Sequence, residues 1–155
     1  MKHTIAALVD NKPGVLARIS GLFSARGFNI DSLAVGETND PTVSRMTIIV
    51  DAKDERILEQ IKKQLHKLID IITVLDLTEK EFFERELVLI KVNGQNTDNL
   101  QSAIEKFSAK VLSADEKTTI IEAVGSRAEI SELLNGLKDI GISELVRTGR
   151  IAIAK

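Results

Sequence analysis

The sequence contains no cysteine, tryptophan or tyrosine among its 155 residues, and only two histidines and two prolines. Without cysteine the chain has no disulfide, no thiolate metal site and no cysteine nucleophile. No apolar run approaches the roughly 18 residues that a membrane-spanning helix needs. The first residues, Met1 to Thr4, lead directly into a strand pattern instead of a signal peptide. We therefore expect a cytoplasmic protein that makes no use of a membrane.

The shortage of histidine and of stacking aromatic groups argues against two further classes of function. His66 follows an apolar helix position and His3 precedes the first predicted strand without an acidic or thiol partner nearby. The sequence therefore predicts no catalytic residue and no metal ligand. The net charge is −2 with both signs interspersed, unlike the basic footprint of a nucleic-acid binder. Two of the five phenylalanines, Phe82 and Phe83, are predicted outside the strands, which leaves no stacking surface for RNA.

Hydrophobic periodicity predicts an α+β fold made of two ferredoxin-like βαββαβ modules, each an antiparallel sheet with its helices on one face. Asp54 is the predicted N-cap of the second helix. The predicted domains are 1–78 and 86–155, joined by a linker at 79–85. The predicted strands cover residues 4–10, 28–37, 44–51 and 71–77, then 87–92, 110–114, 118–124 and 144–154. The apolar helix stripes are Val15, Leu16, Ile19, Leu22 and Phe23; Ile57, Leu58, Ile61, Leu65 and Leu68; Leu100, Ala103, Ile104 and Phe107; and Ile130, Leu133, Leu134, Leu137 and Ile140.

Each half of the chain is small, which favours its packing against another domain or another subunit. A lone domain of about 75 residues is only marginally stable, and a four-stranded sheet leaves two edges unpaired. Pairing between subunits is expected from these edges. Packing of the two halves on each other within one chain is the alternative, and both remain open at this point.

The turn between the first strand and the first helix has the residues of an anion site. Pro13 suits the first helical turn, and Gly14 lets a ligand approach the backbone. Free N–H groups near residues 14–16 then lie at the positive end of the helix dipole. Asn11 adds an amide with one acceptor and two donors, and Asn29 is a second such group that another subunit would supply. The same residues also make an ordinary helix cap, turn and helix stop.

Five segments of the sequence carry a family resemblance. They begin with Asn-Lys-Pro-Gly-Val-Leu-Ala-Arg-Ile at 11–19 and continue at 22–33, 44–48, 58–68 and 144–152. Together they resemble the regulatory (small) subunit of acetolactate synthase, also called acetohydroxyacid synthase. The match covers nearly the whole chain and is densest in the first half.

The resemblance implies an N-terminal ACT domain, which binds amino acids between subunits of a homodimer, and a C-terminal domain of related topology. Members of the family have no active site or cofactor of their own. They bind the catalytic large subunit, which carries thiamine diphosphate, Mg and FAD, raise its activity and make it sensitive to valine or another branched-chain amino acid. The effector-binding positions that match are Asn11, Gly14, Val15 and Leu16 of one subunit with Asn29 and Ile30 of the other.

Some features remain open at the level of sequence. The family's basic stretch is replaced by residues 93–99, and Ser108 stands where arginine is common, so the contacts to the catalytic subunit are unassigned. Arg45 either contacts a partner or pairs with an acidic neighbour. A free-standing ACT-type sensor that regulates another enzyme or a promoter is the alternative function, although the match at Glu144–Ala152 argues against it. Valine, leucine and isoleucine all remain possible effectors.

Overall fold

The computed structural model describes residues 2–52, 54–94 and 98–155. They form two compact units: unit 1 contains the residues up to Phe83 together with Arg150–Lys155, and unit 2 is Glu84–Gly149. The predicted α+β architecture of two antiparallel sheets with helices is confirmed. The strands are β1 Lys2–Asp10, β2 Ile30–Glu37, β3 Val43–Asp51, β4 Ile71–Asp76, β5 Phe82–Asn93, β6 Lys110–Ala114, β7 Thr118–Gly125, β8 Ile142–Arg147 and β9 Ile151–Ala154. The helices are α1 Val15–Ala25, α2 Glu55–Leu65, α3 Asp98–Lys106 and α4 Arg127–Leu137.

Unit 1 is built on a sheet with the strand order β2-β3-β1-β4. The central pair β1 and β3 is antiparallel, with a register that runs from Lys2 opposite Asp51 to Asp10 opposite Val43. Alternate residues of these strands point to opposite faces, and one face packs against α1 and α2. The buried core on that helical face comprises Ile5, Ala7, Val9, Val15, Ile19, Leu22, Phe23, Met46, Ile48, Val50, Ala52, Leu58, Ile61 and Leu65.

The two helices of unit 1 end and begin at residues suited to those positions. Gly27 has a φ of 68° after α1, and the Phe28 and Gly27 N–H groups donate to the carbonyls of Phe23 and Ser24. This is a Schellman motif, which closes the helix and delays the start of β2 to Ile30. Asp54 is the N-cap of α2, as predicted, and its carboxylate accepts a hydrogen bond of 3.0 Å from the Ile57 N–H.

Unit 2 repeats the arrangement, with strand order β6-β7-β5-β8 and α3 and α4 packed on one face. Ser126 caps α4 and forms a capping box with Glu129. Of the segment 93–99 that the sequence marks as a departure from the family, residues 95–97 lie outside the described residues. The core contains Val88, Ile90, Val92, Leu100, Ala103, Ile104, Ile121, Ala123, Ile130, Leu133 and Leu137.

The predicted last strand, 144–154, is in fact two strands. The chain turns at Gly149, which has a φ of 83°, a conformation that an L-residue rarely adopts. The second piece, β9, pairs with β5 and belongs to unit 1, whereas the sequence-based division placed it in 86–155. Its Ala152 packs against Ala6 and Leu77, on the face of the first sheet opposite the helices.

The first strand of the second half, β5, also starts earlier than predicted. Strand β5 begins at Phe82, inside the predicted linker 79–85. The prediction that Phe82 and Phe83 lie outside the strands is therefore wrong. Phe82 packs against the cluster around Ala6 and Ala152, and Phe83 is exposed. The prediction that His3 precedes the first strand is also wrong, because His3 lies within β1 and is buried.

Removal of the Asp54 cap should destabilise the protein. Asp54→Ala leaves the Ile57 N–H without its acceptor, and we expect a loss of about 1 kcal/mol in the free energy of unfolding. Urea denaturation measures this loss. The exposed Glu116 supplies the control, because Glu116→Ala should change the stability by no more than about 0.5 kcal/mol. Equal effects of the two substitutions would show that the cap contributes nothing.

Candidate functional site

The turn between β1 and α1 presents backbone N–H groups without a protein partner. Gly14, at the N-cap position, has φ 85° and ψ −9°, and no side chain caps the helix. The first turn contains no acidic residue. Within the described residues, the N–H groups of Leu16 and Ala17 have no acceptor. This end of α1 therefore keeps the partial positive charge of the helix dipole available to an anion.

The corresponding ends of α2 and α4 are already occupied by carboxylates. Asp54 and Glu55 serve α2. At α4, Glu129 accepts from the Ser126 N–H at 2.6 Å, and Glu84 accepts from the Arg127 N–H at 3.1 Å. The backbone N–H of Ser126 keeps the pKa of Glu129 below its usual value. Among these three helices, α1 is the one that lacks an anion of its own.

Arg18 brings a cation to this turn. Its Nε donates to Asp70 Oδ2 at 2.7 Å, and Asp70 is buried. A Cβ atom built on Gly14 would lie 3.2 Å from Arg18 Nη1, so the guanidinium group rests beside the turn. Sequence patterns did not predict a role for Arg18 because its partner Asp70 is 52 positions away. A signal was present nonetheless, since a cation in the first turn of a helix is electrostatically unfavourable without a partner.

Lys12 completes the charge arrangement at the turn. Its Nζ lies 2.8 Å from Asp10 Oδ2, and a hydrogen bond from this ammonium to the carboxylate raises the pKa of Lys12. The ammonium is therefore charged at neutral pH. Two cations, Lys12 and Arg18, thus flank the free end of α1, each paired with an aspartate.

Asn11 ties the turn to the loop between β2 and β3. Its Nδ2 donates to Glu37 Oε1 at 3.2 Å and to the Pro41 carbonyl at 2.9 Å. Its backbone N–H donates to the Thr42 carbonyl at 2.8 Å. These contacts use the amide donors and orient the side chain. The carbonyl oxygen of the side chain stays available as an acceptor within the described part of the chain.

The two apolar residues of the predicted site point in different directions. Val15 is only 3% exposed and belongs to the core, whereas Leu16 is 47% exposed. An apolar ligand group at the turn would therefore contact the side chain of Leu16. Val15 can contact such a ligand only through its backbone.

Asn29 and Ile30 lie at the other end of the sheet. Ile30 is opposite Val50, and Val50 is opposite His3, whereas Asn11 follows the far end of β1. Seven residues of strand separate these two ends, or about 23 Å. Asn29 is exposed, and its Nδ2 donates to Asp31 Oδ1 at 2.7 Å. A single chain therefore brings Asn11, Gly14 and Leu16 together but does not join them to Asn29 and Ile30.

Other kinds of site receive no support in the described ranges. No group of three or more acidic, histidine or cysteine side chains is arranged to hold a metal ion there. No helix in those ranges has both the length and the apolar character needed to cross a membrane. Arg45 makes no ion pair with an acidic neighbour in that part of the chain, and instead donates from Nη2 to the Ala152 carbonyl at 2.9 Å.

Comparisons with known proteins agree with this architecture. Residues 5–73 match the family model of the AHAS small subunit-like ACT domain, and residues 85–155 match that of the small subunit of acetolactate synthase. The probable acetolactate synthase small subunit of Archaeoglobus fulgidus is 45% identical over 100% of this chain and 98% of its own length. The acetolactate synthase small subunit of Mycolicibacterium smegmatis is also 45% identical, over 99% of this chain and 91% of its own.

The chain belongs to the family of acetolactate synthase small subunits. A solved structure of the small subunit from Thermotoga maritima superimposes with a TM-score of 0.88 at 36% identity, over 100% of this chain and 98% of that one. Unit 1 contains the ACT domain of the family, and this membership supports a regulatory role. A small subunit also implies a catalytic large subunit as its partner.

The left-handed conformation of Gly14 gives a test of the turn itself. Gly14→Ala places a Cβ at a φ of 85° and 3.2 Å from Arg18 Nη1, and we expect a loss of about 1–2 kcal/mol in stability. Gly21, in the same helix, has open space around its Cβ position, so Gly21→Ala should stabilise the protein by about 0.5–1 kcal/mol. Thermal unfolding of both variants measures the difference. Shifts of the same sign would contradict the geometry of the turn.

Proposed function

We propose that this protein is the non-catalytic regulatory subunit of acetolactate synthase. It activates the thiamine-diphosphate-dependent large subunit, which converts pyruvate to acetolactate, and makes that enzyme sensitive to a branched-chain amino acid. The observation that carries the proposal is the uncapped N-terminus of α1 beside Arg18, in an ACT domain of this family. A carboxylate is the group that such a turn would bind.

In the proposed complex the effector carboxylate lies on the N–H groups of Leu16 and Ala17, on the side where Gly14 leaves room. The Arg18 guanidinium adds charge to that position: its Nε donates to Asp70, and its two terminal nitrogens make no hydrogen bond within the described residues. The ammonium group of the ligand is placed against the free Oδ1 of Asn11. The apolar side chain of the ligand contacts Leu16, which is the exposed apolar residue of the turn.

The other half of the site comes from a second copy of the chain. Asn29 and Ile30 lie about 23 Å of strand length from the turn, yet they stand at the start of β2, which is an edge strand of its sheet. A twofold pairing of two such domains would bring this end of each copy to the turn of the other. Each effector would then be held by Asn11, Gly14, Val15 and Leu16 of one subunit and by Asn29 and Ile30 of its neighbour.

Inhibition follows from the position of the ligand between two subunits. A ligand that contacts both copies stabilises the packing in which both sets of contacts form. The large subunit, bound to the same dimer, responds to that packing through a coupling that is typically about 1–3 kcal/mol.

Reconstitution with the large subunit tests the proposed function. The two proteins should co-elute, the small subunit should raise the rate of acetolactate formation, and a branched-chain amino acid should lower it again. Calorimetry with valine, leucine and isoleucine then identifies the effector. One methylene, the difference between valine and the other two, changes the affinity by about 10- to 200-fold, and leucine and isoleucine differ in the position of the branch. Absence of a complex together with an unchanged rate would favour a free-standing amino-acid sensor instead.

Gly14→Asp should abolish inhibition at the effector concentration that half-inhibits the wild-type holoenzyme, and leave activation intact. The new carboxylate falls within reach of Arg18 Nη1 and occupies the position of the effector carboxylate. We expect the affinity for valine to fall by roughly 10- to 150-fold, the value of a charge-assisted hydrogen bond. Gly136→Asp is the control, since Gly136 is an exposed helical residue of unit 2 with open space around it. Unchanged valine affinity in Gly14→Asp, measured by calorimetry, would show that the proposed pose is wrong.

Asn29→His tests the contribution of the second subunit. The substitution removes an exposed amide at the start of β2, and inhibition by valine should weaken while the complex with the large subunit still forms. Asn135→His, on an exposed position of α4, is the matched control. Full valine sensitivity of the Asn29→His holoenzyme in rate measurements would exclude Asn29 from the site.

A further inference from the structure

The C-terminal strand β9 is held mainly by polar contacts. Only Ala152 of this strand is buried, whereas Ile151 and Ile153 are 59% and 63% exposed. Burial of one alanine contributes little to the free energy of binding a strand. The hydrogen bonds that hold β9, which include its pairing with β5 and two contacts to the first sheet, are therefore a large part of what keeps it in place. Such weakly buried elements open more readily than a core strand.

The first of these polar contacts comes from Arg45 on the central strand β3. Its Nη2 donates to the Ala152 carbonyl at 2.9 Å. Arg45 lies opposite Leu8 on one side and Gly36 on the other, so it reaches β9 from the middle of the first sheet. A guanidinium group donates a directional hydrogen bond that a lysine in the same place would not reproduce.

The second contact comes from β2, the strand at whose start Asn29 and Ile30 stand. The Arg150 N–H donates to Ser32 Oγ at 3.0 Å. The register of β2 against β3 shifts between Ile30 and Ser32, which is the irregularity expected of a β-bulge. Ser32 thus joins the beginning of β9 to the part of β2 where the pairing is irregular.

Thr148, which precedes Gly149, belongs to unit 2 and makes its hydrogen bonds within that unit. The Thr148 N–H donates to the Leu87 carbonyl at 3.1 Å, and Thr148 Oγ1 accepts from the Leu87 N–H at 3.1 Å. Only Gly149 separates Thr148 from Arg150. The anchor at Ser32 and the anchor at Leu87 are therefore only two residues apart along the chain, at Arg150 and Thr148.

We propose that β9 transmits the effector response from the ACT domain to the second unit, with Arg45 and Ser32 as the positioning residues that attach it to β3 and β2. This inference rests on the proposed function. When the ligand orders the start of β2, Ser32 moves with that strand and takes Arg150 with it. The second unit responds because the same short segment is anchored at Thr148.

Substitutions that cut these links should uncouple inhibition from binding. Arg45→Met removes the donor to Ala152, and Ser32→Ala removes the acceptor of the Arg150 N–H. In the holoenzyme, both variants should keep the uninhibited rate and bind valine within about twofold of wild type, while the ratio of uninhibited to fully inhibited rate falls by about 2- to 30-fold. In the free subunit, the amides of residues 151–155 should exchange hydrogen faster than in wild type.

The chain offers matched controls for both substitutions. Arg26→Met removes an arginine that donates to the Leu22 carbonyl and to Gln64 Oε1, and Ser143→Ala removes a hydroxyl that donates to the Lys91 carbonyl. In the described part of the chain neither residue hydrogen-bonds to β9, and both controls should keep the wild-type ratio of rates.

Two results would overturn the inference. One is full inhibition of Arg45→Met and Ser32→Ala, and the other is a loss of inhibition that only parallels a loss of valine affinity. A wild-type subunit that neither binds valine, leucine or isoleucine nor alters the rate of the large subunit would instead overturn the proposed function, and the inference with it. Calorimetry on wild type separates these cases, because it reports binding without the large subunit.

Discussion

The antiparallel register of β1 and β3 is the constraint on which the rest of unit 1 depends. It runs without a break from Lys2 opposite Asp51 to Asp10 opposite Val43. Because side chains alternate along a strand, this register assigns Ile5, Ala7 and Val9 to the helical face and Ala6 to the opposite face. It also decides which residues stand at which end of the sheet, and thereby separates the turn at Gly14 from the start of β2.

The ion pairs at the turn between β1 and α1 form because the sheet brings distant charged residues to this end. Strand β1 delivers Asp10 and Asn11 to the N-terminus of α1, and the segment before β4 delivers Asp70 to Arg18. The cations near the free N–H groups would repel one another and the helix dipole if they stood alone. Asp10 and Asp70 pair with these cations and hold them beside the first turn of α1.

Strand β9 belongs to unit 1 because it packs on the face of the first sheet opposite the helices. Ala6 and Leu77 are covered by Ala152, which is small enough for β9 to lie close to the sheet. Hydrogen bonds from Arg45 and to Ser32 supply what the small apolar contact does not. The attachment of β9 therefore depends on one small apolar contact, on its pairing with β5 and on these hydrogen bonds, and it involves none of the core residues on the helical face.

The sequence by itself determined the fold class, because the change of hydrophobic period between 2 and 3.6 is a local property of the chain. It also identified the Asp54 cap and the turn at Gly14, since glycine and capping residues act over three or four positions. Sequence patterns did not predict contacts between residues that are far apart in the chain. The ion pair of Arg18 with Asp70, the break at Gly149 and the hydrogen bond from Arg45 to Ala152 join parts of the chain that no local pattern connects. Tertiary structure alone decided that Val15 is a core residue while Leu16 is exposed, because the rotation of α1 about its axis is set by packing against β1 and β3 and not by the helix itself.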